Sequence, residues 1–225
     1  MRKFLIALAA IFAFVCCGHT VDPEPTTPHK VHRSVGKLTV HKHVVVAGKD
    51  EYVPIGGGTG FAIGEREIMT ANHVCKALDT PGNVIRLSFY TGIYEAKFDD
   101  NLVAIKRDES RDLCILFMYS SPLKPIKFSG TWPKMGDKIF IFGAPAHQAF
   151  VLTSGYYGQN LHVKISGKDI WSATLSAPAF PGNSGSPVLN DKGEFIGVLI
   201  AGFPAYHHLT ITPSYLGVKK FLEDR

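Results

Sequence analysis

Short apolar runs alternate with turn-forming residues along most of the chain, from about residue 35 to its end. Glycine, proline, asparagine and aspartate separate these runs at short intervals, which is typical of a sandwich or barrel of β-strands. The pattern predicts one helical turn after His73 and a terminal helix at 213–222. The strands are expected at 37–46, 60–69, 84–89, 101–105, 112–118, 138–142, 162–165, 170–175, 186–189 and 195–200. We therefore expect an all-β fold with a short C-terminal helix.

The start of the chain follows a different pattern. Arg2 and Lys3 precede an unbroken apolar stretch at 4–15, and Cys17 lies just beyond it. A basic start and a short apolar run predict a secretory signal peptide at 1–17, and the run is shorter than the roughly 20 residues that span a bilayer. A buried core helix is one alternative, and a lipid anchor on Cys17 is another. We expect an exported protein, periplasmic or extracellular, without a membrane-spanning segment and with membrane tethering as an open alternative.

Residues 18–34 are rich in proline and poor in large apolar side chains, so we expect an extended linker there and a folded domain at 35–225. The composition, 45% hydrophobic and 19% charged, is typical of a packed globular protein and excludes a disordered chain. The formal net charge of +5 comes from scattered lysines and arginines, so no nucleic-acid partner is expected. No metal site is expected either, because nothing completes a ligand set around the histidines near the start, His29, His32, His41 and His43.

Ser184 lies between turn-forming residues in the run at 181–187. Nearby glycines let the backbone approach a substrate closely, which suits a nucleophile on a tight turn. The backbone N–H groups of Gly182 and Ser184 then converge on one point, where they can bind a developing oxyanion. An ordinary surface turn explains the same residues, so this run alone does not establish a nucleophile.

A serine hydroxyl needs a base to take its proton, and the base needs a carboxylate to fix its tautomer. His73 follows a predicted strand where that strand breaks into a turn, which can present an imidazole to a cleft. Asp112 opens an otherwise apolar strand, where a carboxylate is costly unless a partner pairs with it. A histidine buried for packing and a turn residue at a strand end are the alternative interpretations. Asp100 and Asp108 compete for the carboxylate role, but both lie in charged, turn-like sequence.

The sequences around these three residues resemble those of the trypsin-like serine peptidases. The order His, Asp, Ser matches that family, and so do the strings at 70–74, 112–116 and 182–187. Similar strings recur at 58–61, 135–145, 151–155, 196–198 and 211–214, so the resemblance covers roughly residues 36–222.

This resemblance implies a fold of two six-stranded antiparallel β-barrels of the chymotrypsin-like kind, with the active site between them. It implies a serine endopeptidase in which Ser184 attacks, His73 transfers the proton and Asp112 orients His73. Polypeptides are the implied substrates, an acyl-enzyme is the implied intermediate, and no metal or organic cofactor is needed. Two alternatives are a catalytically silent homologue that binds peptides and a stress-type protease that also holds unfolded chains.

One departure from the family concerns activation. Digestive members carry an aspartate before the serine that pairs with a freed N-terminal amine, whereas Asn183 has no charge to pair. We therefore expect no activation switch of that kind. In this respect the sequence looks closer to the bacterial Deg-type stress proteases and the glutamyl endopeptidases.

The resemblance also places the substrate pocket, and its expected residues are uncharged: Pro178, Ala179, Ile200, Ala201 and Gly202. Such a lining favours a small or medium apolar side chain before the scissile bond over Lys or Arg. Glutamyl endopeptidases carry a histidine where this chain has Leu199. His207 and His208 lie in a neighbouring loop and leave a preference for acidic residues open.

Cys75 and Cys114 are the cysteines that remain after the predicted signal peptide. Cys75 lies two residues beyond His73, and Cys114 lies two beyond Asp112. Side chains two apart on a strand share a face, so Cys114 should point toward the histidine segment as Asp112 does. In an oxidising compartment this arrangement predicts a disulfide, with two separate buried thiols as the alternative.

Overall fold

The computed structural model describes residues 28–90, 95–98, 102–119, 123–145, 149–165, 167–203 and 205–224. The predicted signal peptide and Cys17 lie outside these residues. Within them, no helix combines the length and the apolar character needed to cross a membrane.

The described chain contains fourteen strands, two α-helices and two 3₁₀ helices. The strands are β1 (Val35–Val46), β2 (Lys49–Ala62), β3 (Glu67–Ala71), β4 (Asn83–Tyr90), β5 (Glu95–Phe98), β6 (Val103–Asp108), β7 (Leu113–Phe117), β8 (Lys138–Gly143), β9 (Val151–Ile165), β10 (Lys168–Leu175), β11 (Pro187–Leu189), β12 (Phe195–Val198), β13 (Ala201–Phe203) and β14 (Tyr206–Pro213). The α-helices are α1 (Asn72–Cys75) and α2 (Tyr215–Glu223), and the 3₁₀ helices are Pro28–Ser34 and Lys76–Asp79.

The strands form two seven-stranded antiparallel sheets, one from each half of the chain. The order is β5-β4-β1-β2-β3-β7-β6 in the first sheet and β12-β11-β8-β9-β10-β14-β13 in the second. The prediction of an all-β chain with two antiparallel units and a short C-terminal helix is confirmed. Each sheet has seven strands where six were expected, and short strands lie at the edges, β5 in the first sheet and β12 and β13 in the second.

A shared apolar core joins the two sheets. Phe61 on β2 packs against Phe195 on β12, with ring centroids 5.0 Å apart in an edge-to-face arrangement. Val31 is buried in the same cluster together with Val218 and Phe221 of α2. The end of the segment predicted as an extended linker is therefore a 3₁₀ helix that contributes to the core.

Two elements extend beyond this core in different ways. The outer part of the β1–β2 hairpin, residues 45–56, is exposed on both faces. The β9–β10 hairpin instead folds back onto the first sheet, where Val163 and Ile170 are buried in the cluster that contains Leu116. The second sheet thus shares an apolar cluster with β7, the strand that follows Asp112.

Candidate active site

His73 lies in α1, directly after β3 ends. The helical turn begins at Asn72 and includes His73, whereas the sequence predicted a turn after it. The buried Asn72 is held at both ends, since its N–H donates to the carbonyl of Asp112 at 2.9 Å and its Oδ1 accepts from Arg107 Nε at 2.8 Å. The backbone that carries the imidazole is thereby fixed, while the ring itself remains substantially exposed.

Asp112 immediately precedes β7 and has a left-handed backbone conformation, with φ of 56°. Aspartate is one of the few side chains that tolerate this conformation. Its Oδ2 lies 2.7 Å from His73 Nδ1, and its Oδ1 accepts from the His73 backbone N–H at 2.8 Å. One buried carboxylate therefore holds both the ring and the main chain of the same histidine.

The two competing aspartates have different positions. Burial opposes ionisation of the Asp108 carboxyl, but hydrogen bonds from Ser110 and Arg111 outweigh it and lower the pKa of Asp108. Asp108 therefore shapes the turn between β6 and β7 as a charged acceptor. Asp100 lies outside the described residues.

Cys75 and Cys114 are joined in a disulfide, as the sequence predicted, with Cα atoms 6.5 Å apart. The bond links the end of α1 to β7, and both cysteines are completely buried. It therefore crosses between the segments that carry His73 and Asp112.

Ser184 lies in a turn of the second sheet, between Gly182 and Gly185, whose φ values are 99° and 88°. The Asn183 N–H donates to the Phe180 carbonyl at 3.0 Å, and the Gly185 N–H donates to the Leu199 carbonyl at 2.7 Å. The alternate N–H groups, those of Gly182 and Ser184, donate to no acceptor within the part of the chain that the structure describes. Two backbone donors are thus available on either side of Asn183.

Gly58 brings the Ser184 turn against the histidine segment. A Cβ atom on Gly58 would lie 2.6 Å from the Ser184 carbonyl oxygen and 2.8 Å from Cγ2 of Val74, the residue after His73. Glycine is therefore required for this approach. Among the described residues, the Ser184 hydroxyl and the His73 ring share no hydrogen bond, and such contacts are often loose in free enzymes.

A cavity of about 460 Å³ opens beside Ser184. Three of the residues that the sequence suggested line it, namely Ala179, Ala201 and Gly202. The remaining lining is largely apolar and comes from Phe180, Pro181, Leu199, Phe203, Tyr206 and Leu209. Tyr206 and Leu209 lie on β14, which pairs with β13, and no local motif in the sequence indicated that they line the cavity.

The other two suggested pocket residues lie elsewhere. Ile200 is buried in the core cluster that contains Leu116 and Val163, and the Pro178 carbonyl accepts a hydrogen bond from Thr153 Oγ1 at 3.0 Å. Of the loop histidines, His208 lines an open cavity that shares Tyr206 and Leu209 with the cavity beside Ser184, and His207 lies on β14.

A second, smaller cavity of about 210 Å³ contains His73. Its other lining residues are Val40, Ile55, Gly56, Gly57, Val74 and Ala77. Apolar concavities thus adjoin both Ser184 and His73.

The histidines of β1 have other partners. His43 Nε2 lies 2.8 Å from Asp50 Oδ1, and His41 Nδ1 lies 3.2 Å from the Thr39 carbonyl. In the described ranges, no group of three or more His, Cys, Asp or Glu side chains is arranged to hold a metal ion.

Comparison with known proteins gives one family and several similar folds. A family model described as a trypsin-like peptidase domain matches residues 58–198, a span that includes His73, Asp112 and Ser184. The active form of the Rv3671c protease from M. tuberculosis is 21% identical with a TM-score of 0.67, over 87% of this chain and 82% of that one. A serine endoprotease from Yersinia pestis is 18% identical with a TM-score of 0.66, over 87% of this chain and 64% of that one. At these identities the structural likeness establishes the fold.

Proposed function

Because the chain belongs to the trypsin-like peptidase family, we propose that it is a serine endopeptidase in which Ser184, His73 and Asp112 act as a catalytic triad. The single observation that carries the proposal is the double hydrogen bond of Asp112 to the ring and backbone of His73. A carboxylate on Nδ1 fixes the tautomer that leaves Nε2 free to accept a proton.

In the first step, Ser184 Oγ attacks the carbonyl carbon of the scissile peptide bond while its proton passes to His73 Nε2. Asp112 stabilises the imidazolium that forms. The negative charge on the substrate oxygen is bound by the free N–H groups of Gly182 and Ser184. The bond from carbon to nitrogen then breaks, the His73 proton passes to the leaving amine, and an ester on Ser184 remains.

In the second step, water replaces the amine. His73 Nε2 takes a proton from the water as its oxygen attacks the ester carbon, and the same two N–H groups bind the oxyanion again. Return of that proton to Ser184 Oγ releases the carboxylic acid product. The free enzyme is restored without a net change in its protonation.

The cavity beside Ser184 supports a preference for an apolar side chain before the scissile bond. Among the described residues, no acidic or basic side chain lines this cavity, so the described lining offers no charged partner for a lysine, arginine or glutamate side chain. A peptide library that varies this residue tests the preference, and dominant cleavage after glutamate would contradict it.

Export of the protein is supported by two features, the basic and apolar start of the sequence and the disulfide between Cys75 and Cys114. Disulfides persist in oxidising compartments such as the periplasm and the cell exterior. Cell fractionation with the intact mass of the mature protein tests this proposal. A mass beginning near residue 18 indicates signal cleavage, a lipid mass on Cys17 indicates an anchor, and a full-length reduced cytoplasmic protein contradicts export.

The catalytic assignment is tested with a fluorophosphonate probe, in which the serine oxygen displaces fluoride from phosphorus. We expect a single adduct on Ser184 by mass spectrometry, and its loss in Ser184→Ala and His73→Ala. Asp112→Asn should strongly slow the labelling, because it no longer fixes the tautomer of His73. Its matched control is Asp108→Asn, which removes one charge from the neighbouring turn without touching His73 and should label as the wild type does. Failure of the folded wild-type protein to label would favour the catalytically silent, peptide-binding alternative.

A further inference from the structure

Thr59, near the end of β2, is a completely buried polar residue that joins the two sheets. Its backbone N–H donates to the Ser184 carbonyl at 2.8 Å, and its hydroxyl donates to the Gly182 carbonyl at 2.9 Å. The same hydroxyl accepts from the Ala144 N–H at 3.0 Å, so its one proton and a lone pair are both used. One residue of the first sheet thus holds two carbonyl groups of the nucleophile turn.

These contacts determine which groups of the turn remain free. Thr59 occupies the carbonyls of Gly182 and Ser184, and the Asn183 carbonyl accepts from the Ser186 N–H at 2.9 Å. With the N–H groups of Asn183 and Gly185 also bonded, none of the three peptides between Gly182 and Gly185 can rotate without losing a buried hydrogen bond. The orientation of the free Ser184 N–H is fixed as a result, and Gly182, which carries the other free N–H, is held in place through its carbonyl.

Thr70 extends this connection toward the histidine. It is also completely buried, lies in β3 three residues before His73, and donates its hydroxyl proton to the Thr59 carbonyl at 2.7 Å. The pair packs directly on the turn, because a Cβ atom on Gly185 would lie 2.1 Å from both the Thr59 carbonyl oxygen and the Thr70 hydroxyl. A continuous set of hydrogen bonds therefore runs from the strand before His73 to the turn of Ser184.

We propose that Thr59 and Thr70 are positioning residues that align the oxyanion-binding N–H groups of Gly182 and Ser184 with His73 across the two sheets. The inference rests on the proposed function of Ser184 and adds residues that touch neither substrate nor the reacting atoms. The two N–H groups bind the negative charge that develops in the transition state, so displacing them mainly raises the energy of the transition state. Loss of the Thr59 and Thr70 hydroxyl groups should therefore lower kcat and leave KM nearly unchanged.

The test compares Thr59→Val, which keeps the shape and removes the hydroxyl, with Thr59→Ser, which keeps the hydroxyl. With a peptide substrate, we expect kcat to fall about 30–100-fold in Thr59→Val with KM within about threefold of wild type. Thr59→Ser should restore kcat to within about threefold of wild type. The downfield NMR resonance of the proton between His73 and Asp112 should be unchanged in both variants, because their hydrogen bond does not involve Thr59.

Thr212→Val is the matched structural control. Thr212 is buried, and its hydroxyl accepts from the Val198 N–H at 2.9 Å, so this variant also leaves a backbone amide unpaired. It should lose stability without the loss of kcat. An equal fall of kcat in the Thr59 and Thr212 variants, or an unchanged kcat in folded Thr59→Val, would overturn the proposal.

Thr70→Val decides the question if Thr59→Val does not fold. It withdraws the donor to the Thr59 carbonyl and leaves Gly182 bonded, so we expect a fall of about tenfold in kcat, and an unchanged kcat would overturn the proposal. Ser184→Ala separates this inference from the proposed function. If Ser184→Ala keeps full activity, the proposed function is wrong, and the positioning role is wrong as well. If Ser184→Ala is inactive while the threonine variants are fully active, only the positioning role is refuted.

Discussion

Replacing Cys75 and Cys114 together with alanine removes a bond between residues 39 apart in the sequence. The bond restricts the unfolded chain, and the loop-closure entropy for about 39 residues corresponds to about 4 kcal/mol at 25 °C. Both side chains are completely buried, so alanine adds two small cavities in the folded state. We therefore expect the free energy of unfolding to fall by at least about 4 kcal/mol in the double variant.

Urea denaturation followed by tryptophan fluorescence measures this change, with Trp132 and Trp171 as reporters. For a slope of about 2 kcal/mol per molar urea, the midpoint should fall by about 2 M. The wild-type protein in reducing agent is the control and should reach a similar midpoint. An unchanged midpoint in the double variant would refute the argument from chain entropy.

Activity separates the effect on stability from an effect on the site. The contacts of Asp112 with the His73 ring and backbone, at 2.7 and 2.8 Å, do not involve the disulfide. At temperatures where the double variant is fully folded, kcat should therefore stay within about fivefold of wild type. A collapse of kcat in the folded variant would mean that the disulfide itself maintains the catalytic geometry.

Three further predictions concern other parts of the molecule. Gly58→Ala should slow labelling of Ser184 by about 100-fold, because the new Cβ would lie 2.6 Å from the Ser184 carbonyl oxygen, and labelling at the wild-type rate would contradict this. Burial raises the pKa of Tyr157 to about 12, so the protein favours the neutral phenol and should lose stability between about pH 10 and 12. In Tyr157→Phe, this contribution to the loss of stability at alkaline pH should disappear when denaturation is measured over a series of pH values. If the dependence of stability on pH is the same as in the wild type, the argument is refuted. Ser214→Ala should cost about 1 kcal/mol, measured by thermal unfolding, because it removes the hydrogen bond to the Gly217 N–H that caps α2.

The positions of His73 and Asp112 were readable from the sequence because both depend on local strand ends. Asp112 stands at the head of the apolar strand β7, where its charge requires a partner, and His73 directly follows the end of β3. The disulfide was predicted from the same local pattern, because Cys75 and Cys114 lie two residues beyond His73 and Asp112. Local patterns singled out these residues but left other interpretations open, and the resemblance to the trypsin-like serine peptidases selected His73 and Asp112 among them.

The strand boundaries were less predictable where the pattern changes within one element. The exposed outer half of β2 has no alternation of apolar and polar positions and contains Pro54, so it gave no clear strand signal. The predicted strand at 60–69 merged the end of β2 with β3 across the turn at 63–66. β9 begins at Val151, well before the predicted start at 162, because much of it is only partly buried.

The contacts between the sheets could not be read from the sequence at all. Thr59 and Thr70 look like ordinary strand residues, and only the docking of the second sheet reveals the hydrogen bonds from Thr59 to Gly182 and Ser184. Likewise, Tyr206 and Leu209 reach the cavity because β14 pairs beside β13, a long-range arrangement without a local signature.

The division of the candidate site between two sheets has a consequence for the chain during its synthesis. The proposed base and its carboxylate, His73 and Asp112, belong to the half that emerges from the ribosome first, and the proposed nucleophile Ser184 belongs to the half that emerges later. A growing chain therefore carries no competent nucleophile while its first sheet forms. Sheets rich in non-local pairings fold slowly, so the ability to cut neighbouring polypeptides appears only after the second sheet has docked. The architecture itself therefore delays proteolysis until the second half of the chain has been made and has folded.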